Sequence, residues 1–359
     1  MKNLGDELSL DHLDRMTDST GLIQHAIYSI PRRESGYTTD DNARALRLCA
    51  RLWCRNPDER MLIRVARYLS YLEFARGRGG KFHNLMSYER TWLDAEGSGD
   101  CQGQAVLALA QVVAGSLPDD YRILARELIE GVVPTLADLR SLRSQAYVLQ
   151  AWSQLWTAGV KDIETLEAVA WSAARRLVEC YQRTVRSDWQ WFESRMTYAN
   201  AVLPHALFLA AQRWPSEPFL EVAKASFAFL DRATTVEDVF WPVGNDGWYH
   251  EGEEKSPYDQ QPVEAATMAD AALAAFDLLN DDVYLATFQR TRNWFHGRNS
   301  KRLSLADCQR GACCDGLQPA GINRNQGAES SLAYLWIELR NLEVRCRASE
   351  HREVAVASA

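Results

Sequence analysis

The sequence predicts an all-α fold, an (α/α)6 barrel or six-hairpin toroid in a single domain, and three observations predict it. Apolar residues recur at i, i+3, i+4 and i+7 through most of the 359 residues, whereas strand-like alternation is scarce. The helical segments are of two kinds that alternate along the chain. The connections alternate too, short after one kind and long after the other.

The first kind of helix is Ala-rich and apolar nearly all round: DNARALRLCARLW (41–53), CQGQAVLALAQVVAG (101–115), SQAYVLQAWSQLW (144–156), YANAVLPHALFLAAQRW (198–214), EAATMADAALAAFDLL (264–279) and QGAESSLAYLWIEL (326–339). A helix without a polar face is buried on all sides. The second kind is amphipathic: a short one at 7–16, then 59–78, 121–133, 163–185, 217–233 and 281–297. Six buried helices alternating with six amphipathic ones form an inner ring wrapped by an outer ring. A solenoid would need repeats of near-constant length. The buried helices begin near 41, 101, 144, 198, 264 and 326, which is too irregular. The barrel is expected over 1–344, with the polar, small-residue-rich stretch 345–359 a disordered tail.

Hydrophobic content of 47% and charged content of 25% describe a globular protein. A net charge of −8 argues against a nucleic-acid partner, which needs a basic face. No apolar run approaches the roughly 18 residues of a membrane helix, and no leader pattern opens the chain, so a cytoplasmic location is expected. Eight cysteines fit a reducing compartment as free thiols. Cys308, Cys313 and Cys314 cluster, but without the paired CxxC elements or histidines that zinc requires, and no metal or other cofactor is expected.

Loops leading out of the buried helices are short, such as 54–58 and 115–120. Loops leading into them are mostly long: 17–40, 76–100, 186–197, 234–263 and 298–325, with only the one near 134–143 short. All loops of one kind emerge at the same end, so the barrel has a plain bottom and an elaborated mouth. The mouth also gathers the inner-helix N-termini, whose dipoles favour negative charge. Each long loop delivers polar and aromatic residues. Glycosyl chemistry requires two carboxyl groups about the anomeric carbon, and sugars pair hydroxyl-dense edges with apolar faces that suit flat aromatic rings.

Asp41 and Glu193 are the leading catalytic candidates, with Asp40, Asp259, Glu264 and Glu329 as contenders for the second role. Candidate sugar-binding residues are His25, Tyr37, Arg44, His83, Trp189, Trp191, Arg195, Tyr198, Trp248, Tyr258, Asn325 and Gln326. Competing structural roles exist for several. Asp40 and Asp41 follow Thr38 and Thr39 at a helix start, where acids serve capping and the dipole. Glu264 and Glu329 lie within the first turn or so of their helices and invite the same reading. Glu193 differs, because WQWFESR precedes its helix. Of the 12 tryptophans, Trp53, Trp152, Trp156 and Trp171 sit at helical spacing and read as packing. His205, within a buried helix, reads as a core histidine.

The runs TDSTGLIQHAIYSIPRRESGYTTDDNARAL (17–46) and GLQPAGINRNQGAESSLAYL (316–335) resemble a bacterial family of (α/α)-barrel proteins, whose members occur alone or fused behind glycosyltransferase domains. WQWFESRMTYANAVLPHAL (189–207) is similar to inner-helix motifs of the six-hairpin glycosidase-like superfamily. The resemblance implies the barrel fold, a sugar-related role and a possible separate glycosyltransferase partner. These residues contain no nucleotide-sugar-binding α/β pattern, so a transferase would lack its donor site.

The expected function is a glycoside hydrolase-like enzyme acting on an oligosaccharide or glycan. One carboxyl, its pKa raised by burial, would donate a proton, and an ionised partner held by Arg44 or Arg195 would orient water. Two alternatives stand beside it. One is a sugar isomerase or epimerase working through His25, His83 or His250; the other is a non-catalytic glycan-binding partner of a glycosyltransferase.

Overall fold

The computed structural model describes residues 8–357, with side chains through Ser349. Twelve α-helices dominate these residues. The inner ones are α2 (Thr39–Arg55), α4 (Gly99–Ala114), α6 (Leu142–Thr157), α8 (Val202–Arg213), α10 (Pro262–Leu279) and α12 (Ala328–Ala357). The outer ones are α1 (Asp11–Met16), α3 (Glu59–Ala75), α5 (Asp119–Leu136), α7 (Glu164–Thr184), α9 (Phe219–Ala233) and α11 (Asp282–Phe295). Each inner helix packs on the next, and α12 packs back on α2 to close the ring. Helices α3, α5, α7, α9 and α11 each pack on the inner helix before them, and α1 packs on α12. The chain is therefore a closed (α/α)6 barrel, as its periodicity predicts.

Burial explains the two helix types. Every residue of α4 from Cys101 to Val113 is buried. A Cβ on Gly103 would lie 2.9 Å from both Ser144 O and Tyr147 Cβ, so only glycine lets α4 and α6 approach this closely. The outer α3 instead buries one stripe, Met61, Val65, Tyr68, Leu69 and Leu72 among it. Its first turn is capped by Asp58, which accepts the Met61 amide at 2.9 Å.

Three boundaries differ from the sequence reading. Helix α8 starts at Val202 rather than near 198, because Ala199 is left-handed (φ 45°) and interrupts the helical run. Helix α1 covers Asp11–Met16 of the stretch 7–16, whose first residue lies outside the described ones. Helix α12 continues to Ala357, so 345–357 is helical where composition predicts a tail. There Arg347 reaches Asp277 at 2.9 Å. No helix among the described residues is long and apolar enough to cross a membrane.

The long loops share one end and are stitched into one rim by two-residue ribbons and bridges. Tyr37–Thr38 of the first loop pairs with Leu85–Met86 of the second. Arg195–Met196 of the fourth pairs with Tyr249–His250 of the fifth. Gln260 and Leu317 exchange backbone hydrogen bonds of 2.9 Å between the fifth and sixth. Ala328 N donates to Gln24 O at 3.0 Å, joining the sixth to the first.

Candidate active site

The start of α2 sets the site. Thr38 is its N-cap, its Oγ1 accepting the Asp41 amide at 3.4 Å, and Asp40 Oδ1 accepts the same amide at 3.1 Å. Capping is thus met by Thr38 and Asp40, which leaves the Asp41 carboxyl for other partners. Thr38 Oγ1 donates to Asp41 Oδ2 at 2.8 Å, and Arg44 Nη1 reaches Asp41 Oδ1 at 3.0 Å. The same Nη1 lies 3.5 Å from Asp40, while Nη2 lies 3.0 Å from Glu329 in the first turn of α12. Two adjacent inner helices therefore gather three carboxyl groups on one guanidinium. Burial lowers the Arg44 pKa, but Glu329, Asp40 and Asp41 together outweigh it and hold the charge on.

Asp41 is only 4% exposed. Burial pushes its pKa up to about 8, aided by the negative charges of Asp40 and Glu329 and opposed by Arg44 and the Thr38 hydrogen bond. Burial and the neighbouring carboxylates thus favour its protonated form, and the Arg44 contact favours its ionised one.

These groups open on a cavity of about 270 Å³ at the mouth. Asp40, Asp41, Asp259, Asp315 and Glu329 line it together with Arg44, His25 and the amides of Gln24, Gln261 and Asn323. Burial raises the Asp259 pKa, with Asp246 and Asp315 adding to it and a hydrogen bond from Gln318 opposing. Gly327 N donates to Asp315 Oδ1 at 2.8 Å, fixing that carboxylate on the wall. Arg44 and Glu329 also line a smaller cavity of about 70 Å³ deeper on the barrel axis, with Tyr147, His205, Asp270 and Trp336. Asp270 is held there by Trp336 Nε1 at 2.7 Å, Arg340 at 3.3 Å and Arg47 at 3.6 Å. Burial pushes His205 down to about 4, so it is a neutral ring in this inner chamber.

Of the residues singled out by sequence, the cavity unites Asp40, Asp41, Arg44, Asp259, Glu329 and His25. Glu193 does not line it; its carboxylate meets the buried Arg143 Nη1 at 2.8 Å. Glu264 does not line it either. Its buried carboxyl accepts the Ala199 amide, the Asn200 amide at 3.4 Å and Asn200 Nδ2 at 3.1 Å, so it pins the left-handed turn before α8. Burial raises its pKa to about 7 against those hydrogen bonds.

The aromatic candidates divide likewise. Trp189 and Trp191 are buried, 2% and 0% exposed, and offer no open face. Trp189 packs edge-on against Tyr249 at 5.1 Å, and its Nε1 donates to Glu193 O at 2.8 Å. Tyr37 is buried and donates to Asp18 at 2.7 Å. His83 stacks on Trp92 at 5.0 Å and bonds Asp94 O at 2.9 Å. Arg195 is exposed on its ribbon, opposite His250. Tyr198 is 40% exposed, donates to Asp100 at 2.5 Å and carries the Arg143 cation 4.8 Å over its ring. Trp248 and Tyr258 are half-buried, and Lys301 Nζ sits 4.7 Å over the Tyr258 ring. Asn325 and Gln326 bond the backbone of Tyr28 at the rim, at 3.0 and 2.9 Å.

Sequence reasoning passed over Gln24 and Gln261 on the cavity wall, and Arg143 and Asp100 in the neighbouring cluster. Arg143 had a usable signal, as a lone cation in the first turn of an otherwise apolar helix. Gln24 and Gln261 had none, since amides in loops are common.

No family model matches the chain, and no curated protein matches it. Solved structures do share its fold. A sugar epimerase from a ruminal bacterium superposes with a TM-score of 0.71 at 10% identity, covering 93% of this chain and 97% of that one. Cellobiose 2-epimerase from Bacillus thermoamylovorans gives 0.70 at 11% identity, covering 93% and 97%. A family GH76 α-mannanase from Bacteroides thetaiotaomicron gives 0.64 at 11% identity, covering 94% and 93%. At these identities the likeness establishes the six-hairpin (α/α)6 architecture over nearly the whole chain.

Proposed function

We propose that this chain is a carbohydrate-active enzyme that cleaves a glycosidic bond in the mouth cavity. The observation that carries the reading is a buried Asp41, its pKa raised by burial and by Asp40, opening on the same cavity as four further carboxyl groups, with one of them, Glu329, paired to Arg44. Asp41 acts as general acid and protonates the leaving oxygen. Glu329, held by Arg44 at 3.0 Å and 43% exposed, takes the ionised role and directs water at the anomeric carbon. Asp259, Asp315 and the amides Gln24, Gln261 and Asn323 supply hydrogen bonds to sugar hydroxyls.

Sugar epimerisation is the second reading, favoured by the epimerases that share the fold. It has fewer residues to rest on. Of His25, His83 and His250, only His25 lines the mouth cavity, and His205 lies deeper as a weak base. Incubation with gluco- and manno-oligosaccharides, followed by chromatography of the products, separates the readings. Hydrolysis releases shorter sugars with new reducing ends; epimerisation returns an isomer of unchanged length. Sugar binding without either product would leave the glycan-binding role and defeat the enzymatic one.

A further inference from the structure

The rim beside the cavity carries a tight hairpin that the proposed chemistry does not use. Ala26 pairs with Pro31 and Ile27 with Ile30, so the loop is the two residues Tyr28 and Ser29. Its exposed side chains are large and apolar, Ile27 at 54%, Tyr28 at 64% and Ile30 at 62%. Single exposed apolar residues are unremarkable, but three within four positions at the lip of a polar cavity form a patch.

Tyr28 is also in an unfavourable backbone conformation, with φ at 52°. The first position of a two-residue hairpin loop favours glycine when φ is positive, and a bulky side chain there is strained. Strain of this kind persists only where the surroundings hold it, and it gathers at functional sites. Here they do hold it. Tyr28 N donates to Asn325 Oδ1 at 3.0 Å, and Tyr28 O accepts the Gln326 amide at 2.9 Å. Both anchors come from the sixth loop, between cavity residues Asn323 and Gly327, while cavity residues Gln24 and His25 lead directly into the hairpin. The Tyr28 backbone is therefore fixed where the first and sixth loops meet at the rim, which holds its exposed side chain beside the cavity.

We infer that Tyr28 is an aromatic platform for the sugar unit next to the one held in the cavity, so that this hairpin selects oligosaccharides over disaccharides. The proposal rests on the glycan-cleaving reading of the same mouth. A Tyr ring offers an apolar face with a polar tip, which matches the C–H face of a pyranose in water. Continuity with the polar cavity, rather than apolar area alone, commits the patch to sugar.

The test is Tyr28→Ala and Tyr28→Phe, assayed on cello- and manno-oligosaccharides of two to five units, with affinities for the same sugars measured by calorimetry. Because Tyr28 is exposed, both variants retain the fold. Tyr28→Ala is expected to lower kcat/KM and affinity for the longer sugars by roughly five- to tenfold, the scale of one aromatic stacking contact. Disaccharides should change less than about twofold on the same scale, and Tyr28→Phe should retain wild-type behaviour. An equal loss on all lengths, or no loss on any, overturns the proposal. So does a change in oligomeric state of Tyr28→Ala on size-exclusion chromatography, which would make the patch a contact between copies. If wild type cleaves nothing, the cleavage reading fails, and length-dependent affinity alone still decides the platform.

Discussion

Arg44 Nη1 lies 3.0 Å from Asp41 Oδ1 one turn earlier on the same helix, while its Nη2 lies 3.0 Å from Glu329 on the next inner helix round the ring. One guanidinium thus ties together the two carboxyl groups assigned opposite roles. Its removal leaves Asp40, Asp41 and Glu329 facing one another without a counter-charge. Arg44→Ala is expected to destabilise the fold by about 3–5 kcal/mol in denaturant unfolding and to abolish turnover. Arg44→Lys keeps the charge without the fork and should fall between. An Arg44→Ala variant of unchanged stability would refute the pairing.

The raised Asp41 pKa has a sign in activity and in stability. A general acid works while protonated, so kcat is expected to fall as pH rises through about 8. For stability, the folded pKa lies above the unfolded value near 3.9. The contribution of Asp41 is therefore fully present at low pH and is lost as pH climbs from about 4 towards 8. Asp41→Asn cannot titrate, so its unfolding free energy should decline less than that of wild type between pH 5 and pH 8. Equal slopes would contradict a buried, protonated Asp41.

Glu193 and Glu264 are expected to separate from the cavity carboxylates. Glu193→Gln weakens a contact to Arg143 outside the cavity and should leave kcat within a few-fold of wild type. A loss of thousands-fold would place Glu193 in the chemistry after all. Glu264→Gln puts an amide donor against groups that already donate, at the turn leading into α8. It is expected to cost about 2–3 kcal/mol and lower the Tm by several degrees. An unchanged Tm would show that the turn does not depend on that carboxyl.

Much of the barrel is legible in the sequence because helical burial leaves a periodic trace. The all-round apolar character of residues 101–113 marks an inner helix, and the stripe of 61–72 marks an outer one. Half of the site is legible too. Asp40, Asp41, Arg44, Asp259 and Glu329 sit in the long loops or first turns where a mouth collects residues. What composition cannot resolve is which polar group is already consumed. Glu193 and Glu264 stand beside Asp41 as candidates in sequence, and only the positions of Arg143 and of the left-handed Ala199 show their carboxyls already engaged. The tryptophans of WQWFES look like platforms for the same reason, yet both are buried, Trp189 against Phe229 and Tyr249 from later in the chain. Tyr28 is invisible until the hairpin's φ is known.

In the proposed reaction Asp41 donates the proton that breaks a glycosidic bond. The most direct measurement is product release from gluco- and manno-oligosaccharides by wild type and Asp41→Asn, each checked for folding by its Tm. Wild type is expected to release new reducing ends, and a fully folded Asp41→Asn to lose about a hundred- to ten-thousand-fold of that activity. Undiminished cleavage by Asp41→Asn would contradict it.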